Sequence, residues 1–360
     1  MTSDAISGDY TEWAPALDAH GAGVVMLVGD MDTGKSTLAC LLVNASVDAG
    51  RRTAVVDSDL GQSEIGPPTC VGMAFASEPV KRLSDLAPDA LAFVGACSPT
   101  GAGMETVVAT ASLVRAAGEG GAETVIVDTC GMVRGMAGRR LKQAKLAALQ
   151  PDVVIVLERG SECQHAVAPL RYRRRTHVLR LPVPACVQRK PVALRAHRRA
   201  ARFARYFDGA QPMTLSMDEV ALSGTWLSSG EPLEPRLRRF ATIALGVVVY
   251  HGERSEDYVG LVTSAMPTSP AGVQSVQQEL GVRSAVVTPV DRLRHLVVGL
   301  DDGEGRWVGI GTLARIDFAR RLLTALTPVR SSGAVRHVRF GLLRRRPDGA
   351  ELGTNRPGEV

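Results

Sequence analysis

Apolar residues in the first half of the chain fall into short continuous runs, rich in Val and Ile, at residues 24–28, 53–56, 91–94, 124–127 and 153–157. Between them lie stretches with helical spacing, at 36–49, 104–117 and 139–149. Strands that are apolar at successive positions are buried on both faces, and interposed helices supply the crossovers that parallel strands require. The pattern therefore predicts an α/β fold with a parallel sheet flanked by helices. Residues 193–207 read as a further helix. From about residue 211 the pattern changes. Short apolar pieces at 221–222, 245–250, 258–263, 285–289, 296–300, 307–311 and 335–343 are separated by Gly-Glu, Asp-Asp-Gly-Glu-Gly and Pro-Asp-Gly links. Turn signals at that density predict a smaller β-rich domain, with helices only around 275–280 and 318–325.

The first apolar run leads directly into Gly29-Asp30-Met31-Asp32-Thr33-Gly34-Lys35-Ser36-Thr37, which has the form G-x-x-x-x-G-K-S. Gly29 and Gly34 allow a backbone whose N–H groups face a phosphate, and the helix starting near Lys35 offers its unpaired N–H groups to the same anion. Lys35 can reach β/γ-phosphates and the Ser36 hydroxyl can sit on Mg²⁺. This strand–loop–helix context implies nucleoside triphosphate binding by residues 29–37, Asp32 and Thr33 included.

Two more strand ends carry acids. After 53–56 come Asp57-Ser58-Asp59-Leu60-Gly61-Gln62-Ser63, two carboxylates on one face of an extended segment. One can hold Mg²⁺ while the other accepts the proton of an attacking hydroxyl. After 124–127 comes Asp128-Thr129-Cys130-Gly131, in which Asp128 has the form of a second magnesium-side acid. The loop 95–101 after the third run carries Ser and Thr but reads as an ordinary turn.

Charge alters the picture in one region. The formal balance is +5 with pI near 9.0. Yet residues 163–207 contain no Asp or Glu while holding Arg171, Arg173, Arg174, Arg175, Arg180, Arg189, Lys190, Arg195, Arg198, Arg199, Arg202 and Arg205. Solvated faces normally mix signs, so such a stretch points to an anion site. Arg195, Arg199 and Arg202 share one side of the expected helix, placed to lid a phosphate or to follow a nucleic-acid backbone. The six cysteines are scattered without a C-x-x-C pair, which argues for reduced thiols. Neither a signal peptide nor an apolar stretch near ~20 residues is evident, so the expectation is a cytoplasmic protein off the membrane. The expected organisation is a lead-in over 1–21, a P-loop domain over 22–210 with an arginine-rich lid at about 189–207, a β-rich domain over 211–346, and a tail over 347–360.

The P-loop, the Asp57-x-Asp59-x-Gly61-Gln62-Ser63 run continued by Ile65-Gly66-Pro67-Pro68-Thr69, and Asp128-Thr129-Cys130-Gly131-Met132-Val133-x-Gly135 occur in an order and spacing that resemble the polynucleotide 5′-hydroxyl kinases of RNA processing. The resemblance covers about residues 22–345 and is closest to the short prokaryotic form. It implies ATP with Mg²⁺ as the phosphate donor and a 5′-hydroxyl nucleic acid, RNA before DNA, as acceptor. Thr37 would support the P-loop, Asp59 would orient or deprotonate the 5′-hydroxyl, and Asp57 and Gln62 would lie around the metal. Thr129 and Gly131 would form a clasp over the acceptor nucleotide. Arg195 and Arg199 of the arginine helix would supply the transition-state lid, and Arg202 would bind the acceptor. Met132 stands where eukaryotic members carry a base-stacking Trp, which weakens that platform.

Two other readings compete. A non-catalytic ATP-binding adaptor needs neither Asp59 nor the acid-free arginine run. A GTPase-like switch commonly reads guanine through N-K-x-D, and no such loop occurs near residues 157–160.

Overall fold

The computed structural model describes residues 10–17 and 23–360. The chain divides into two compact units, residues 1–199 and 200–360. The first contains α1 (Ala14–Leu17), β1 (Gly23–Gly29), α2 (Lys35–Asp48), β2 (Thr53–Ser58), β3 (Cys70–Ala76), β4 (Ala90–Phe93), α3 (Gly103–Glu119), β5 (Thr124–Thr129), α4 (Gly135–Leu149), β6 (Val153–Glu158), α5 (Gln164–Val167) and β7 (His177–Pro182). The helix α6 (Val192–Tyr206) runs through the dividing point.

The strands of this unit form one sheet in the order β4-β3-β2-β5-β1-β6-β7. From β2 to β7 every pairing is parallel, so the carboxyl ends of β1, β2, β5 and β6 all emerge on one edge. That edge carries Gly29, Asp57 and Asp128. The parallel sheet that the sequence pattern predicts is thus present, extended by β3, which runs antiparallel to both β2 and β4. The link 59–69 is shorter than the dozen or so residues of a helical crossover, so the chain folds straight back. β3 escapes the pattern because Cys-Val-Gly-Met-Ala-Phe-Ala is poor in β-branched residues, and its Gly72 packs on the Ile65 carbonyl.

The core joins Val25 and Leu27 of β1 to Leu38 and Leu42 of α2, Ile126 of β5 and Ile155 of β6. Trp13 belongs to it and is fully buried. Its Nε1 donates to the Pro182 carbonyl at 3.0 Å, and a Cβ on Gly34 would come within 2.7 Å of its ring. Residues 10–17 are thus part of the packed unit and not a solvated lead-in. The rest of that expected segment lies outside the described residues.

The second unit contains β8 (Gln211–Ser216), β9 (Ala221–Ser223), β10 (Glu231–Pro232), α7 (Pro235–Leu245), β11 (Val249–Arg254), β12 (Tyr258–Thr263), α8 (Pro270–Leu280), β13 (Ser284–Pro289), α9 (Val290–Leu293), β14 (Leu296–Asp301), β15 (Trp307–Asp317), β16 (Leu322–Thr327), β17 (His337–Arg345) and β18 (Glu351–Thr354). One sheet has the order β18-β17-β14-β15-β16-β8, with β9 also pairing β17, and a second has the order β10-β11-β12-β13. The helix expected around 318–325 is instead the turn into β16. In Leu322–Thr327 alternate residues point inward, and Leu323 and Ala325 are fully buried. Nor are residues 347–360 a loose tail: β18 pairs with β17, and the Val360 carbonyl accepts from Trp226 N with the Val360 side chain buried. Among the described residues no helix is long and apolar enough to cross a membrane, and all six cysteines are free.

Candidate active site

The loop between β1 and α2 is held by its own side chains. Thr33 Oγ1 and Lys35 Nζ both donate to the Asp30 carbonyl, at 3.0 and 2.7 Å. Gly34 has φ +88°, open to glycine at little cost, and places α2 so that its first turn faces the loop. Asp32 adopts φ +53° without being glycine, and its position is fixed by neighbours. Its carbonyl accepts from Arg159 Nη2 at 2.8 Å. Its Oδ2 accepts from Arg195 Nη1 at 2.8 Å and from Lys190 N at 3.1 Å. Asp32, expected to bind nucleotide, therefore spends its carboxylate on the first turn of α6. Arg195 is brought to the P-loop by this contact.

A second ion pair closes the other side. Arg134 Nε donates to Asp30 Oδ2 at 2.7 Å. Burial raises the Asp30 carboxyl, but the hydrogen bonds from Arg134 and Met31 N and the Arg134 charge outweigh it and hold the group below the usual range. Asp30, Met31, Asp32, Arg134, Arg189, Lys190 and Arg195 line a cleft of about 520 Å³ over the loop. Four cations against two acids make it an anion-receiving cavity.

Beneath the loop the two strand-end acids behave differently. Asp57 and Asp128 are directly opposite in the β2–β5 register and both are buried. Asp57 Oδ1 accepts from Asp59 N at 3.0 Å, and its Oδ2 accepts from Ile65 N at 3.1 Å and from Glu64 N. Its carboxylate thus organises the main chain of the 59–65 loop, a task the sequence reading did not assign to it. Burial and the Asp128 charge push Asp57 well above the carboxylate range, against the pull of those donors. Asp128 is also raised, mainly by burial, with Lys35 and a hydrogen bond from Ser36 opposing and the Asp59 and Glu64 charges adding. Its Oδ1 is a buried oxygen with no hydrogen-bond partner. An unpartnered anionic oxygen next to the Ser36 hydroxyl fits a hard cation. Among the described residues no cluster of three or more potential metal-ligating side chains exists.

Asp59 is half-buried. Its Oδ1 accepts from Gly61 N and Gln62 N, both at 3.0 Å, while Oδ2 has no hydrogen-bond partner among the described residues. A Cβ on Gly61 would lie 3.7 Å from Asp59 Oδ1 and 3.9 Å from Arg199 Nη1, so Arg199 reaches this acid's loop. Gln62 Nε2 donates to the Gly61 carbonyl at 2.9 Å and to the Arg195 carbonyl at 3.2 Å. Gln62 therefore ties its loop to α6. Arg202 lies a turn beyond Arg199 on α6, half-buried, in the second unit.

Thr129 is not available to a ligand. It is fully buried, its Oγ1 donates to the Leu27 carbonyl at 2.6 Å and accepts from Lys142 Nζ at 2.7 Å. Gly131 packs on the P-loop: a Cβ there would meet Met31 N at 2.5 Å. Met132 is half-buried and Thr37 half-buried behind the loop, whereas Ser36 is exposed to the site.

Two lysines escaped the sequence reading. Lys142 and Lys145 of α4 are both fully buried. Lys142 also donates to the Cys130 carbonyl at 2.5 Å. Lys145 donates to Ser58 Oγ, which bonds Thr110 Oγ1 at 2.6 Å. Each therefore grips the residue that follows a strand-end acid. Burial lowers both, Lys145 to about 8. Their signal was present: they lie at i and i+3 within the apolar face set by Leu141, Leu146 and Leu149.

Comparison with known proteins places this geometry. The model of the family described as mRNA cleavage and polyadenylation factor CLP1 P-loop matches residues 29–209. A polyribonucleotide 5′-hydroxyl-kinase of Pyrococcus horikoshii is 32% identical over 91% of this chain and 88% of its own length. Its namesake from Thermococcus kodakarensis is 34% identical over 93% of this chain and 92% of its own length. In fold, the chain is similar to Clp1p in the solved Clp1p–Pcf11p complex, with TM-score 0.55 and 11% identity over 89% of this chain and 74% of that one. On sequence and on fold, this chain belongs to the CLP1 P-loop family.

Proposed function

We propose that this chain is a polynucleotide 5′-hydroxyl kinase that transfers the γ-phosphate of ATP to the 5′-hydroxyl of RNA, with DNA as a second acceptor. The observation that carries the proposal is the convergence of three groups on one sheet edge. These are the P-loop with Lys35, the unpartnered buried oxygen of Asp128 beside Ser36, and the half-buried Asp59, which engages main-chain N–H groups through Oδ1 alone. An adaptor that only holds nucleotide has no use for the last of these. The relatives that match most of this chain carry the name of that activity.

In this reading residues 29–37 cradle the β- and γ-phosphates, with Lys35 swinging from the Asp30 carbonyl onto their oxygens. Ser36 and Asp128 would hold Mg²⁺, which neutralises triphosphate charge when bound. Asp59 orients the 5′-hydroxyl and accepts its proton as the oxygen attacks in line. Arg195 and Arg199, carried on α6, meet the charge that spreads over the transferring phosphoryl oxygens. Asp57 keeps the 59–65 loop in shape so that Asp59 points correctly.

The test supplies Mg²⁺ and γ-labelled ATP with 5′-hydroxyl RNA and DNA oligonucleotides. Label should pass to the oligonucleotide, and should vanish in Lys35→Ala and Asp59→Asn. Tight ATP binding without transfer to any acceptor would refute the kinase in favour of an adaptor, and preference for GTP would favour a switch.

A further inference from the structure

The cationic stretch is longer than the cleft can use. Arg189, Lys190 and Arg195 reach the cleft, but Arg171, Arg173, Arg174 and Arg175 precede β7. β7 is parallel to β6, with His177 opposite Val153 and Pro182 opposite Glu158. Residues 171–175 therefore sit at the amino-terminal end of the outermost strand, and the P-loop lies at its carboxyl end. A strand of this length separates them by roughly 20 Å. Along β7 itself the cations are not continuous: His177 and Arg180 are exposed but, three positions apart, face opposite sides of the strand, and Arg180 is held by Glu158 Oε1 at 2.8 Å and by Gln164.

Three features set residues 171–175 apart from an ordinary solvated face. All five are exposed. Among the described residues, Arg171, Arg174 and Arg175 have no carboxylate within 4.0 Å. Tyr172 is 86% exposed, more than any other large apolar or aromatic side chain among the described residues, and the Arg171 guanidinium stands 5.8 Å from its ring centroid. Basic residues on an edge strand can serve merely to discourage strand addition. Here the arginines come before the strand instead of on it, and an exposed tyrosine does nothing for that purpose. Uncompensated arginines interleaved with an open aromatic ring match what a single-stranded polynucleotide binds: charge for phosphates and a face for a base.

We propose that Tyr172 with Arg171, Arg174 and Arg175, at the amino-terminal end of the outermost strand, is a docking surface for the body of a single-stranded polynucleotide, several nucleotides from the end held over the P-loop. The polarity, with the 5′ end in the cleft, rests on the kinase reading. The binding itself does not. Such a surface makes the protein prefer long acceptors without adding anything to the chemistry.

Fluorescence anisotropy with labelled single-stranded RNA of twenty and of four nucleotides, in the absence of nucleotide, tests the proposal. The variant Arg171→Ala/Arg174→Ala/Arg175→Ala should bind the longer strand at least tenfold more weakly. Its salt dependence should fall by about 2 in slope, since each lost phosphate contact on a single strand removes about 0.7. Tyr172→Ala should weaken the longer strand roughly fivefold or more with the salt slope unchanged. Binding of the four-nucleotide strand should be unaffected in both, and Arg→Lys at the three positions should restore the slope. Equal affinity of wild type and triple variant for the longer strand overturns the proposal, as does an equal loss for both lengths. Transfer assays separate the two readings. If the kinase assignment fails, label reaches neither length while the length-dependent binding loss persists.

Discussion

Replacing Lys145 with Met probes how the strand-end acids are supported from below. Burial drives the Lys145 ammonium from its ordinary 10.5 to about 8, with the Lys142 charge adding and Asp59 and Asp57 opposing. The unfolded chain keeps that proton up to about 10.5 and the folded chain only to about 8, so between those values the unfolded state binds more protons. Stability from this group therefore rises with pH across that window. Below pH 8 the protonated lysine costs about 3 kcal/mol; by pH 9.5 about 2 kcal/mol of this is regained. Methionine has a similar length and no proton to lose. Buried thiols such as Cys40 and Cys70, raised to about 11 and 12, titrate alike in both proteins and drop out of the comparison. Urea titrations at pH 7 and 9.5 should show the wild type gaining about 2 kcal/mol on Lys145→Met between the two conditions. Parallel profiles, or a wild type that loses ground as pH rises, would refute the idea that a desolvated ammonium sits beneath Ser58.

Three further outcomes are expected. Asp57→Asn keeps one carbonyl acceptor where two oxygens now serve three main-chain donors, so it should lose about 1–3 kcal/mol in a denaturant titration and lose phosphate transfer with it; full activity would show that the loop holds itself. Gly131→Ala drives a methyl into Met31 N, and ATP affinity measured calorimetrically should fall at least tenfold. Arg199→Ala should lower kcat by roughly 10²-fold or more with ATP affinity changed far less; equal losses in both would remove it from the transition-state role.

What the sequence disclosed follows from where physics is local. Glycine spacing, a continuous Val/Ile strand and the helix behind it make a phosphate loop from consecutive residues, so Gly29 to Thr37 could be read directly. Asp57, Asp59 and Asp128 were also visible, because each ends an apolar run. Their division of labour was not. Asp57 and Asp59 are two residues apart with the same side chain, and only the fold shows that Asp57 commits both oxygens to main-chain N–H groups whereas Asp59 commits only Oδ1. Thr129 looked like a ligand contact because it adjoins Asp128, yet the partner that occupies it, Lys142, is thirteen positions away in a helix. Asp32 and Arg195 are 163 apart, and no local pattern forecasts that they meet. β3 and β16 were passed over for the opposite reason: partner strands made them, against weak local preference.

Trp13 sits in a stretch that motif-guided trimming would discard. A chain shortened to begin at β1 would retain every letter of the phosphate-binding signature and the whole sheet behind it. It would lack the indole that backs Gly34 and hooks the Pro182 carbonyl at the rim of the outermost strand. Such a fragment should fold yet grip nucleotide loosely, so for this protein the limits of the recognisable signature and the limits of the working part are different places.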